Sequence, residues 1–181
     1  MNNVPCNMHR YLFLDIDGVL NTARYSNFLT DKEMDDIDED GALFDPEAVE
    51  NLASIENSVP DLKIIISSTW RFKGWEWMNN LWEKRHMPGY IYSFTPGLEF
   101  VRFQDLVSSE YSESVYPHGT RGLEIGEWLR QNTTNNPLQY KYVILDDIDD
   151  FPAVFKDHVV LTDTATGITK ETVLQVLERI L

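Results

Sequence analysis

The sequence predicts an α/β protein: a three-layer α/β/α sandwich around a mostly parallel sheet, with no large cap domain. Three observations predict it. Short apolar runs rich in β-branched and aromatic residues recur at Tyr11–Asp15, Leu62–Ile66 and Tyr142–Leu145. Stretches with helical apolar spacing separate them. Each run ends abruptly in polar residues, namely Asp15-Ile16-Asp17-Gly18, Ser67-Ser68-Thr69 and Asp146-Asp147. Strands of an open α/β sheet carry ligand-binding groups at their C-terminal ends. The expected architecture is therefore Rossmann-like.

The elements follow in order. Tyr11–Asp15 is the first strand, continuously apolar as a strand buried on both faces requires. Asp45 precedes Pro46 and Glu47, giving an N-cap with proline at the first helical position. Val49, Leu52 and Ala53 form that helix's apolar face, and Pro60 marks its end. Leu62–Ile66 is the second strand. Trp75, Met78 and Trp82 recur at helical spacing, which places Trp75 and Trp82 in the core, and Met87-Pro88-Gly89 stops the helix. Ile91–Phe94 is a short strand, and Ile125, Trp128 and Leu129 mark another amphipathic helix. Tyr142–Leu145 and Val159–Leu161 are further strands. Thr169 caps a last helix whose Val173, Val176, Leu177 and Ile180 share one face. Strands alternating with helices give a parallel sheet with right-handed crossovers.

Two segments break this rhythm. Asn21–Phe44 is acidic from Asp31 to Asp40, and Phe100–Thr120 contains four serines with few periodic apolar positions. Both read as long loops or small excursions. The first is an insertion over 21–44 that forms solvated surface, a small cap or a lid.

At 181 residues and 43% hydrophobic content, the chain fits a single domain over 1–181 with a substantial core. Its net charge of −15 argues against broad electrostatic attachment to nucleic acid or anionic lipid and leaves room for a local basic site. Cys6 is the only cysteine, so no internal disulfide forms, in keeping with a reducing compartment. There is no continuous apolar leader and no run of transmembrane length. A soluble cytoplasmic protein is expected, without a membrane partner.

Strand periodicity sends Asp15 and Asp17 the same way, and Gly18 turns the chain just beyond them. Two carboxylates held this closely repel unless a cation or a proton lies between them. In a parallel sheet the three strand ends share one edge. Asp15, Asp17, Ser67, Asp146 and Asp147 then converge there with Arg121, which stands near a helix start. A cation at that position is disfavoured unless an anion is close by. Several carboxylates without histidine or cysteine suit a hard cation, most often Mg²⁺. Arginine and hydroxyls suit a phosphate dianion. One carboxylate can attack phosphorus, while its neighbour protonates the leaving oxygen and later deprotonates water.

Plainer readings stand beside these. Asp146 and Asp147 also suit a helix cap with a solvated neighbour, and Ser67 suits a turn. Asp149 and Asp150 read as solvated turn acids. Arg71 and Lys73 fit either a solvated pair or contacts to a substrate phosphate. Trp77 is either half-buried or free to stack a base. His86, His118 and His158 have no ligand-like spacing.

The run Asp15-Ile16-Asp17-Gly18-Val19-Leu20 resembles the first motif of the haloacid dehalogenase-like (HAD) superfamily. Ser67 stands at the second motif's Ser/Thr, Arg121 at the third motif's lysine, and Asp146-Asp147 at the acidic fourth motif. Ser67-Ser68-Thr69-Trp70-Arg71 and Arg121-Gly122-Leu123-Glu124-Ile125 resemble the small HAD domains associated with nucleic-acid repair, related to polynucleotide phosphatases. The resemblance implies that Asp15 is the nucleophile and a metal ligand. It makes Asp17 the general acid/base, with its main-chain carbonyl on the metal. Ser67 or Ser68 would bond the phosphoryl group, and Arg121 would neutralise it. Asp146 would hold Mg²⁺, and Asp147 would support it directly or through water. Gly18, Ser68 and Arg71 are the remaining candidate substrate contacts. The second aspartate of the first motif implies phosphate-ester hydrolysis rather than dehalogenation. The implied partner is a nucleic-acid end or a phosphorylated small molecule. A catalytically silent phosphate-binding module and a phosphotransferase are the other classes.

Overall fold

The computed structural model describes residues 8–97, 120–133, 136 and 139–181. Cys6, His118 and the serine-rich segment up to residue 119 lie outside them. Strand β1 (His9–Leu14) is followed by helix α1 (Ala23–Asp31) and two short strands, β2 (Ile37–Asp38) and β3 (Gly41–Ala42). Then come α2 (Pro46–Ser58), β4 (Leu62–Ile66), a 3₁₀ turn (Thr69–Lys73), α3 (Trp75–Lys84) and β5 (Ile91–Phe94). The chain closes with α4 (Thr120–Asn132), β6 (Tyr140–Asp146), a second 3₁₀ turn (Ala153–His158), β7 (Val159–Leu161) and α5 (Lys170–Ile180).

The central sheet has the order β5-β4-β1-β6-β7, and each of its pairings is parallel. This is the α/β sandwich expected from the sequence. Strand alternation divides its core in two. Leu12, Leu14, Ile64, Ile66, Val143 and Leu145 point to one face, under α2, α3 and α5. Tyr11, Phe13, Ile65 and Ile144 point to the other, under Ile125, Trp128 and Leu129 of α4 and Phe155. Each fully buried aliphatic side chain contributes roughly 1.5–3 kcal/mol by leaving water. No helix among the described residues is long and apolar enough to cross a membrane.

Local signals act as their residue types require. The Asp45 carboxylate accepts from Glu47 N at 2.9 Å and caps α2, with Pro46 at its first position. Thr169 and Thr172 form a reciprocal capping box on α5.

One expectation is corrected. Trp75 is 48% exposed, whereas Trp82 is buried as expected. Trp75 is the first residue of α3, and its ring leans on half-buried Phe94 with centroids 5.1 Å apart. Of the two readings of segment 21–44, a long loop or a small excursion, the structure shows the second. Thr22 caps α1 by accepting from Tyr25 N at 3.1 Å, and β2 and β3 form a hairpin. Leu29 is the only buried residue of α1, so the helix has almost no apolar stripe to betray it. The hairpin's acids are tied to the end of α3: Asp38 to Arg85 at 3.0 Å and Asp40 to Lys84 at 2.6 Å.

Candidate active site

The chain leaves β1 toward β4 and β5 on one side, and returns to β6 and β7 on the other. The crevice between β1 and β6 is therefore the topological switch point, where open α/β sheets bind ligands beyond the strand ends. Asp15 follows β1 and Asp146 ends β6, so the two carboxylates flank that crevice.

The ladder continues one residue past the strands. Asp15 N donates to Leu145 O at 3.0 Å, and Ser67 N donates to Leu14 O at 2.9 Å. Asp15 keeps the phase of Tyr11 and Phe13, Ser67 that of Ile65, and Asp146 that of Ile144. All three belong to the face covered by α4. Arg121, in the first turn of α4, meets them there: its Nη1 donates to both Asp15 Oδ2 and Asp146 Oδ2. The two carboxylates supply the anion that a cation at a helix start needs.

Asp15, Asp146 and Asp147 each offer a carboxylate oxygen within 4.8 Å of the others. Asp15 is 3% exposed and Asp146 fully buried. Burial pushes the Asp15 carboxyl above the ordinary aspartate range, against the pull of Arg121. Burial, with a smaller contribution from Asp15, likewise pushes Asp146 up to about 6. For Arg121, burial opposes the charge, but the two carboxylates outweigh it and raise its pKa. When ionised, three carboxylates against one guanidinium leave two negative charges. An all-oxygen donor set with that surplus fits a hard divalent cation such as Mg²⁺.

The glycine of the first motif has a steric reason. Gly18 has φ +67°, and a Cβ there would stand 2.3 Å from Asp147 Oδ2. The same carboxylate oxygen accepts from Thr164 Oγ1 at 3.2 Å, and Gly18 O accepts from Thr162 Oγ1 at 3.0 Å.

The other candidates fall into distinct places. The expectation that Asp15 and Asp17 share one environment is corrected: β1 ends at Leu14, and the Asp17 carboxylate is exposed where that of Asp15 is buried, accepting from Asn21 Nδ2 at 2.7 Å and from Trp70 Nε1 at 3.0 Å. The Ser68 hydroxyl accepts from Trp70 N at 3.4 Å, whereas the buried Ser67 Oγ has no hydrogen-bond partner among the described residues. Arg71 is buried. Its guanidinium donates to Ser68 O at 2.7 Å and to Glu124 Oε2 at 2.7 Å, binding the end of β4 to α4. Trp77 is half-buried beside Trp70, with Lys73 over its ring at 4.2 Å.

Sequence reasoning did not find Asn21, Trp70, Glu124 or Thr162 as supports of the site. The contacts of Trp70, Glu124 and Thr162 bridge segments far apart in the chain, so no local spacing announces them, whereas Asn21 closes the turn after β1 by bonding Gly18 and Asp17.

A family model for the HAD domain in Swiss Army Knife RNA repair proteins matches residues 11–173. The chain belongs to this family. No curated protein and no solved structure matches it. The motif resemblance and the family agree, and a HAD domain of this kind points to phosphohydrolase chemistry at a buried aspartate cluster.

Proposed function

We propose that this HAD domain is an Mg²⁺-dependent phosphomonoesterase that works through an aspartyl-phosphate at Asp15 on a nucleic-acid end or nucleotide phosphate. The observation that carries this reading is the placement of Asp15. It is a buried carboxylate at the switch point, within reach of Arg121 and beside two further carboxylates.

Asp15, Asp146 and Asp147 are the side chains that would hold Mg²⁺, with the Asp17 carbonyl as a further ligand. When bound, the ion supplies positive charge to the phosphoryl oxygens and offsets the repulsion between Asp15 and an incoming dianion. An Asp15 oxygen attacks phosphorus, the bond to the leaving oxygen breaks, and Asp17 gives that oxygen a proton. Water then attacks phosphorus, Asp17 takes its proton, and the bond to Asp15 breaks to release inorganic phosphate. Arg121 and the serine hydroxyls at the end of β4 stabilise the charge that develops on the phosphoryl oxygens.

The family's description favours a nucleic-acid end as substrate. So do two exposed aromatic residues that follow the second motif: Phe72 is 49% and Trp75 48% exposed. Such rings stack bases of any sequence. The test is hydrolysis of a panel with and without Mg²⁺: 3′- and 5′-phosphorylated oligonucleotides, nucleotides, sugar phosphates and an aryl phosphate. Preference for an oligonucleotide end supports the reading. Preference for a sugar phosphate would make this a metabolite phosphatase, and no Mg²⁺-dependent turnover of any compound would leave a silent phosphate-binding module.

Two expected outcomes concern the ion. Gly18→Ala is expected to weaken Mg²⁺ binding by about tenfold or more in calorimetric titration, because the added methyl drives Asp147 from the cluster. An affinity equal to wild type would show that Asp147 is not a ligand. Asp146 also sets a pH signature. Its carboxyl is raised from 3.8 in the unfolded chain to about 6, so its contribution favours the folded state below pH 4 and is lost as pH rises through about 6. A bound cation needs the ionised carboxylates, so the thermal stabilisation by Mg²⁺ is expected to grow over the same interval. A Mg²⁺ shift equal at pH 5 and pH 7.5 would contradict this.

A further inference from the structure

The row of groups at the strand ends continues beyond the motif residues. Thr95 N donates to Ile66 O at 3.0 Å, extending β5 by one residue as Ser67 extends β4. Ile65 is in register with Ser93 and Ile66 with Phe94, so Ser67 stands beside Thr95. Thr95 has the phase of Ser93, whose hydroxyl receives the Trp128 indole of α4 at 2.6 Å. Asp146, Asp15, Ser67 and Thr95 therefore form one row across β6, β1, β4 and β5, all on the α4 face.

Two members of that row are anomalous. Ser67 is 1% and Thr95 3% exposed, and neither hydroxyl has a hydrogen-bond partner among the described residues. A buried hydroxyl without a partner destabilises the fold, and native proteins hold few of them. Two such groups side by side, next to a carboxylate that is itself held by an arginine, are poor packing and good anion recognition. A phosphoryl group seated on Asp15 presents oxygens that accept hydrogen bonds. Rotation between χ1 wells, about 120°, re-aims a serine or threonine oxygen toward such a group.

We propose that Thr95 adds a second hydroxyl beside Ser67 and donates a hydrogen bond to an oxygen of a phosphoryl group on Asp15. The assignment of Thr95 rests on the phosphoryl-transfer reading above and extends it to β5, which carries none of the four motifs. Thr95 is here a substrate-positioning residue, with no proton transfer of its own.

Thr95→Val keeps the shape and removes the hydroxyl, while Thr95→Ser keeps the hydroxyl. The probe is inorganic phosphate, titrated calorimetrically into each protein with Mg²⁺ present. Thr95→Val is expected to weaken phosphate binding by about ten- to a hundredfold, with Thr95→Ser close to wild type. Its ligand-free Tm is expected to hold or rise, because no internal hydrogen bond is lost. Phosphate affinity unchanged in Thr95→Val would overturn the proposal. So would a fall of several degrees in its ligand-free Tm, which would reveal a structural bond at Thr95, and so would a wild-type protein that binds no phosphate. Phosphate binding that depends on Thr95 in a protein hydrolysing no phosphomonoester would keep the subsite and sink the phosphatase reading. Turnover that ignores Thr95 would do the reverse.

Discussion

Asp15→Asn is expected to lower kcat on any phosphomonoester by at least about a thousandfold, with the fold intact. The substitution preserves size and replaces an anionic oxygen nucleophile by an amide that cannot form the acyl-phosphate. Asp15 also sits where ionisation is disfavoured: burial raises its pKa, and Arg121 offsets this only in part. The neutral variant is therefore expected to melt no lower than wild type in metal-free buffer at pH 7.5. The two measurements together separate a chemical role from a structural one. A variant that retains turnover within a few-fold of wild type would show that the activity does not pass through Asp15. A variant that loses turnover but also melts far below wild type would show Asp15 to be a structural partner of Arg121. Arg121→Ala provides the complementary case. It strips the counter-charge from two buried carboxylates, so it is expected to lower metal-free stability where Asp15→Asn does not.

The legible and illegible parts of the molecule divide by range. Asp15, Gly18, Asp146 and the polar end at Ser67 could be read because each follows a long apolar run, and because parallel strands bring all their ends to one edge. The phase of each run then sets the face, which is why Asp15 and Asp146 share Arg121. Helical spacing puts Trp75 on the face of Trp82 but cannot show that the first residue of α3 stays half exposed. Helix α1 stayed hidden because only Leu29 is buried, and tertiary hydrogen bonds rather than an apolar stripe hold the segment. Arg24 and Thr22 both bond the Asp45 carboxylate, at 2.8 and 2.7 Å. Thr95 did carry a signal, a hydroxyl at the end of an apolar strand like Ser67. That signal acquires meaning only once β5 is seen to lie beside β4.

Glu124→Ala is expected to destabilise the domain by about 3–5 kcal/mol, which lowers Tm by roughly 10 °C for a chain of this size. Arg71 and Glu124 are each only 4% exposed at the side chain, and their ion pair measures 2.7 Å. Removing one member leaves a charged group in a site with little water to take its place. The pair also joins two parts of the proposed machinery. Arg71 holds the Ser68 carbonyl at the end of β4, while Glu124 lies one turn along α4 from Arg121. Loosening this tie should let Arg121 drift from Asp15. The variant is therefore expected to lose kcat even at temperatures where it remains folded. The double substitution Arg71→Met with Glu124→Leu removes both charges and refills the space. It is expected to recover most of the stability, because two apolar groups replace a buried pair at little net cost. If Glu124→Ala melts within a degree or two of wild type, solvent reaches the pair and the tie does not position α4. If the double variant recovers stability but not kcat, the ion pair serves the orientation of Arg121 rather than the fold. That separation is observable because melting and turnover are measured on the same three proteins.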